Sequence, residues 1–308
     1  MIVLGFLATV LILNATLYSP AGFVRGYLDA LSRHDADGAL ELAGPVPGGT
    51  ASRELLTSSS LGDLADLALV SDAVDGGVHR IRYSFVSRGT PGTADFTVAR
   101  AGAFLGVFDR WRFDSSPFAT MELAVLNDER VSVNGHAIVS PSPNSPAPYL
   151  VFAPNGYVLT HDTTWLHADA TTIQVTTPGA TVPARLDVVA NAAFGKEVQR
   201  QLNAYLDSCA RQQVLLPSGC PFGQTIGNRI VSTPAWSIVS YPAVSIAPTA
   251  KSREWLMPSS TGTAHLLVSV RSLFDGSVSA FDENVSFTVS VRLSLLPDDS
   301  IQFAPLVE

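Results

Sequence analysis

Four side chains within one short segment, His161, Asp162, His167 and Asp169 (HDTTWLHAD), form the densest group of potential metal ligands in the chain. In an extended strand residues 161, 167 and 169 fall on one side, so imidazole and carboxylate could meet there in a zinc-like set. At ~3.3 Å per residue the two histidines would stand roughly 20 Å apart, so a turn is needed to bring them together. Without one the segment is a polar strand and loop, and no metal is expected. A second candidate is His79 in VHRIRYSFVSR. Its period of two places His79 and Tyr83 on the same side as Ile81 and Phe85, facing an interior where they could line a ligand pocket and the imidazole could act as a base. The alternative is a histidine that caps the strand or makes one satisfied core hydrogen bond. No acidic partner is assigned to His79, since Asp63, Asp66, Asp109 and Asp114 have equal claim as helix, strand-end or surface residues. His265 lies opposite Leu266, Val268 and Val270, on a solvated face. No G-x-S-x-G, S-x-x-K, P-loop or H-E-x-x-H motif occurs, so no catalytic residue and no cofactor are assigned. Trp111, Trp165, Trp236 and Trp255 could line a carbohydrate or peptide groove, but their spacing is no repeat and core packing accounts for them.

Cys209 and Cys220 bracket the segment CARQQVLLPSGC and are the only cysteines. In an exported chain an even count favours a disulfide, and no histidine lies near enough in sequence to complete a zinc site. Two free buried thiols are the alternative. A bridge closing so short a loop is expected to stabilise by ~2–3 kcal/mol through the unfolded chain.

Export is suggested by the N-terminus. Ile2 to Tyr18 (IVLGFLATVLILNATLY) contains no charged residue, as expected of a secretory signal or a membrane anchor. At ~1.5 Å rise per residue a helix of this run is about 25 Å long, slightly short of the roughly 30 Å hydrocarbon thickness. No basic residue precedes it, and the nearest small-residue cleavage site, Ser19-Pro20-Ala21, contains a proline, so an uncleaved transmembrane anchor over 1–19 is favoured. Arg25 and Arg33, following the run, would alone favour the opposite orientation. The expected location is the plasma membrane, single-pass, with extracytoplasmic domains.

The elements that would position these residues divide the rest of the chain into three. Phe23, Tyr27, Leu28 and Leu31 mark one helix face, with Ser19 as N-cap and Pro20 in the first turn, and Asp35 caps a second short helix. Strands follow to about Phe113, giving an α+β domain over 20–117. Residues 118–180 carry only short strands, an Asn134-Gly135 hairpin turn and a proline-rich loop, consistent with a small β-sandwich that leans on its neighbours. From 185 to 308 a helix face (Val198, Leu202, Tyr205, Leu206, Cys209) precedes strands, the last of them alternating from Val285 to Leu295. Tyr27-Leu28-Asp29 and Tyr205-Leu206-Asp207 hint at a duplicated fold.

Composition narrows the function classes. With 46% hydrophobic and 15% charged residues and a net charge of −8 spread without blocks, the chain is neither disordered nor equipped with a basic face, and no nucleic-acid partner is expected.

The opening FVRGYLDALSRHDADGALELA and closing FTVARAGAFLGVFDRWRFD of the first domain resemble the nuclear-transport-factor-2-like (NTF2-like) superfamily, cone-shaped domains in which a helix pair precedes a curved antiparallel sheet. VSVNGHAI followed by FAPNGYVLT is similar to the small sandwich of membrane-anchored bacterial envelope proteins of the teicoplanin-resistance-associated kind. The resemblance implies an α+β chain of two NTF2-like cones flanking a small β-sandwich behind a transmembrane helix. The corresponding function is non-catalytic binding or scaffolding in the bacterial cell envelope, with the membrane and a cell-wall component or envelope protein as partners. Two alternatives stay open: a small-molecule isomerase or hydrolase using a polar pocket in a cone, and an accessory subunit of a secretion or conjugation apparatus.

Overall fold

A computed structural model describes residues 9–10, 12–16 and 18–306. The expected anchor falls in large part on residues 1–8, 11 and 17, which lie outside the described ones. Among the described residues no helix is long and apolar enough to cross a membrane. The expected α+β class of two NTF2-like cones is corrected by the strand content: the chain is mostly β, with 49% strand, 17% helix and several antiparallel sheets. In the C-terminal half the helix pair of the first domain does not recur. Residues 211–228 contain neither helix nor strand, because Pro217, Gly219, Pro221 and Gly223 break any helical run there.

The chain folds into two compact units, Met1–His161 with Ala168–Asp187, and Asp162–His167 with Val188–Glu308. In the first, helix α1 (Pro20–Ser32) starts where the Ser19 hydroxyl accepts from Gly22 N, with Pro20 in its first turn. Asp35 caps α2 (Ala36–Ala43) in the same manner, accepting from Gly38 N. Strands β1 (Leu64–Asp75), β2 (Val78–Ser87), β3 (Thr90–Phe104) and β4 (Phe108–Phe113) form an antiparallel meander in that order. Ile81, Tyr83 and Phe85 of β2, with Phe96 and Val98 of β3, pack on Val24, Tyr27, Leu28 and Leu31 of α1. β1 is the outer strand and is exposed along nearly all its length.

The sandwich expected from short strands is part of this unit. Strands β5 (Phe118–Leu126), β8 (Ala147–Phe152) and β11 (Thr181–Asp187) make one sheet, with β11 parallel to β5. Strands β6 (Arg130–Val133), β7 (His136–Val139), β9 (Asn155–Asp162) and β10 (Leu166–Val175) make the other, ordered β10-β9-β6-β7. Asn134 and Gly135 turn between β6 and β7 with φ of 51° and 89°, the left-handed pair a two-residue hairpin demands. The Asn134 amide also donates to Ser60 O and Gly156 O and accepts from Arg88 Nη2 and Val158 N, so one turn residue joins the sandwich to the segments before it. Phe118, Leu150 and Phe152 belong to the same apolar cluster as α1. A sheet pair this small gains its stability by sharing that core.

In the second unit β12 (Val189–Ala190) pairs with Leu166 and His167. Helix α3 (Ala192–Ala210), capped by Asn191, buries Phe194, Val198, Leu202, Leu206 and Cys209 along one stripe. The long hairpin β16 (Glu254–Arg271) and β17 (Val278–Leu295) carries β13 (Arg229–Ile230), β14 (Ala235–Ser240) and β15 (Ala247–Pro248) along the free side of β16, and β18 (Ile301–Leu306) on β17. Phe287, Val289, Val291, Leu293 and Leu295 are all buried while Arg292 is exposed, so alternation fixes the register. β18 pairs only with Ser290 to Leu295. Among the described residues, β17 before Ser290 has a ladder partner on its β16 side alone.

Candidate functional site

The residues singled out from sequence have separate fates. His79 and Tyr83 share the inward face of β2, as their parity requires, but each is bonded elsewhere. The His79 ring shares a hydrogen bond with Asp72 (Nδ1 to Oδ1, 2.8 Å) and stands edge-on to Trp111, with ring centroids 5.0 Å apart. The Tyr83 hydroxyl donates to Ala21 O at 2.9 Å, and burial pushes its phenol above the ordinary value. The sequence assigns His79 no acidic partner, and Asp72 is not among the four acids with equal claim. β1 carries register shifts between Ala65 and Ala68 and between Leu69 and Ser71, and it is these bulges that set which acid faces the imidazole. Of those four, Asp63 lies 3.9 Å from His34 and Asp109 pairs with Arg100. A histidine–carboxylate pair is half of a general-base arrangement. The interior beneath it is filled by Tyr27, Phe96 and Phe113, whose ring centroids lie within 5.2–6.1 Å of one another.

The HDTTWLHAD residues do not converge. Thr163 to Trp165 turn the chain between β9 and β10, and Thr163 N donates to Leu166 O across the turn. Asp162 and His167 meet there at 3.9 Å on an exposed surface. His161 points into the first unit instead, buried, its Nδ1 donating to Arg130 O at 2.9 Å. Among the described residues no three His, Cys, Asp or Glu side chains are placed to hold a metal ion.

His161 leads to a cluster the sequence did not reveal. Asp128 is fully buried and accepts from Arg130 N (2.9 Å), Nε (3.1 Å) and Nη2 (2.8 Å), with His161 Nε2 4.0 Å away. Burial pushes the Asp128 carboxyl up, but the Arg130 hydrogen bonds and the charges of Arg130 and His161 outweigh it, and the net displacement is downward. A lowered carboxyl pKa stabilises the fold at pH values above the unfolded value of about 4, and the contribution is lost as pH falls through the folded value below it. Asp128→Asn is expected to cost about 2 kcal/mol at neutral pH and to flatten the fall in stability below about pH 4, measured by urea unfolding at successive pH values. An acid limb identical to that of the wild type would remove Asp128 as its source.

A concave surface lies in the second unit, a groove of about 390 Å³. Its rim is the loop after α3, which is tied at five points. Cys209, buried at the end of α3, is bonded to Cys220, with Cα atoms 5.8 Å apart. Gln212 brackets Ser218 by donating to its carbonyl (3.1 Å) and accepting from its amide (2.8 Å). The Tyr205 hydroxyl donates to Gly219 O at 2.6 Å, the Trp236 indole to Val214 O at 2.8 Å, and Gln224 N to Leu215 O at 2.9 Å. Gly223 passes so near Leu216 that an added Cβ would meet its Cδ2 at 2.8 Å. Beneath the rim, Phe222 packs on Trp236 and Phe287, with centroids 5.1 and 5.3 Å away.

The groove floor combines hydroxyls of Ser259, Thr288 and Ser290 with the apolar surface of Phe222, Val289 and Leu306, and among the described residues no charged side chain lines it. A neutral, hydroxyl-bearing, pre-formed groove suits an uncharged ligand rich in hydroxyl or amide groups; it lacks the cations that hold phosphate or carboxylate. Of its parts the sequence disclosed the disulfide alone, since the groove draws on loop 216–223, a bulge in β16 near Ser259, the middle of β17 and the end of β18.

No protein-family model, no curated protein and no solved structure matches the chain. Its class is therefore stated from its own geometry: a predominantly antiparallel β protein with a disulfide-pinned, uncharged groove.

Proposed function

We propose that this chain is an exported, non-catalytic binding protein of the bacterial cell envelope, held at the membrane through its N-terminal apolar run. Its second unit takes a neutral wall-derived ligand in the groove beside the disulfide. The observation that carries the reading is the fixed, uncharged groove: a rim already ordered before binding loses little entropy when a ligand arrives. The disulfide supports an oxidising compartment. The rival reading, a small-molecule isomerase or hydrolase, has the His79–Asp72 pair in its favour and the aromatic packing beneath that pair against it.

Titration with solubilised wall glycan and wall peptide fragments tests the proposal. Saturable binding of one of them is expected, and Thr288→Trp, which fills the groove from an exposed strand position, should abolish it with the thermal midpoint unchanged. Binding that survives the tryptophan, or none by the wild type, would refute it.

A further inference from the structure

Between Arg100 and Asp109 the β3–β4 hairpin reads AGAFLGVF, without a charged or hydroxyl-bearing side chain. At its tip Phe104 is 47% and Leu105 76% exposed, and Val74, in the β1–β2 hairpin at the same end of the sheet, is 64% exposed. Burying such side chains is strongly favourable, so a water-facing tip built from them wastes a large driving force. The turn itself does not call for leucine. Leu105 and Gly106 both have positive φ, 50° and 72°, where Asn-Gly or Asp-Gly is the favoured pair and a bulky residue is disfavoured. The same unit uses Asn-Gly at 134–135. A leucine held in a left-handed position with its side chain outward indicates that its contact lies outside the chain.

The N-terminal apolar run arrives at this tip. Asn14 Nδ2 donates to Val107 O at 2.8 Å and Asn14 Oδ1 accepts from Asp109 N at 3.1 Å. Tyr18 stacks on Phe108 with centroids 4.6 Å apart, and the Trp111 indole donates to Tyr18 O at 2.8 Å. Ile12, further along the run, is 63% exposed. Apolar tip and the described end of the run, residues 12–16 and 18, are thus continuous, with a collar of Tyr18, Phe108 and Trp111 behind them and the exposed cation Arg110 beside the collar. Aromatic rings with cations next to an uncharged apolar surface are the arrangement that sits at a lipid headgroup boundary.

We infer that the β3–β4 hairpin tip, Phe104 to Val107, inserts into the lipid bilayer beside the N-terminal run and so fixes how the first unit stands on the membrane. This deepens the membrane-side part of the reading above and rests on it. The full chain is mixed with phosphatidylethanolamine–phosphatidylglycerol vesicles after Leu105→Cys has been labelled with a polarity-sensitive fluorophore; no free cysteine is present among the described residues to compete. Thr90→Cys, the first residue of β3 at the opposite end of the sheet, is the reference, and Val107→Cys supplies a second tip position should the first variant not fold. The tip probe is expected to shift to the blue and to lose most of its emission to a bilayer-confined quencher, while the Thr90 probe does neither. If the chain floats with the vesicles but the tip probes behave as in buffer, tip insertion is overturned and membrane attachment stands. If the chain does not float at all, the attachment fails and the insertion with it.

Discussion

Replacing the bridge by Cys209→Ala with Cys220→Ser is expected to lower the unfolding free energy of the second unit by about 3 kcal/mol. The loop it closes spans a sequence separation of 11, and the crosslink acts by removing conformations from the unfolded chain. Alanine at 209 avoids burying a hydroxyl where the sulfur is now enclosed. Trp165, Trp236 and Trp255 all belong to the second unit. In a Trp111→Phe background the indole emission therefore reports that unit during denaturant unfolding. The groove should suffer beyond its stability, because the rim bonds of Gln212, Tyr205 and Trp236 hold a loop whose end the bridge no longer fixes. An unchanged midpoint would show that those bonds suffice without the bridge.

The second large effect is expected at Tyr27. The side chain is fully buried at the centre of the first unit, edge-on to Phe96 and Phe113, and its hydroxyl donates to Ala153 O at 3.1 Å. Tyr27→Ala removes a large ring the surroundings cannot replace and should cost about 3–5 kcal/mol. Tyr27→Phe leaves the packing and one buried carbonyl short of a donor, a loss of about 1 kcal/mol. The two variants also differ in alkali. Burial pushes the Tyr27 phenol well above its ordinary value of 10.0, with Tyr157 adding to the shift and the Ala153 hydrogen bond opposing it. The native phenol therefore keeps its proton where the unfolded one has lost it, and stability falls as pH rises past the ordinary value. Tyr27→Phe should show a shallower fall than the wild type in urea unfolding above pH 10.0. Equal slopes would assign the alkaline loss to the other buried phenols, of which Tyr157 is also raised by burial.

What the sequence disclosed was local. Ser19, Pro20 and Asp35 announce helix starts because capping involves residues three apart, and Asn134-Gly135 announces a hairpin because the turn's backbone angles select that pair. Strict alternation in β17 and the cysteine pair are legible for similar reasons. The fold class was not legible, because helix pair plus sheet describes only the beginning of the chain and the proportions are set by strands read singly as short and indistinct. The repeated Tyr-Leu-Asp triplet misleads in the same manner: Tyr27 is enclosed in a core, whereas Tyr205 reaches out to hold the groove loop. The site was hidden for a different reason. Asp72 meets His79 through bulges, Asp128 meets His161 across the β6–β9 pairing, and the groove joins residues from 216 to 306, so no window of sequence contains any of them.

The parallel pairing of β11 with β5 bears on the order in which the first unit can be made. Thr181 to Asp187 lie beside Thr120 to Leu126, so the sheet β11-β5-β8 lacks one edge until residue 187 has emerged. A parallel partner that far along the chain closes a long loop before it gains any contact, and such steps are slow. Before then one side of β5 has no neighbour. As the chain emerges N-terminus first during synthesis, the helices and the β1–β4 meander can close early, whereas the sandwich remains incomplete until the segment leading into the second unit has followed it.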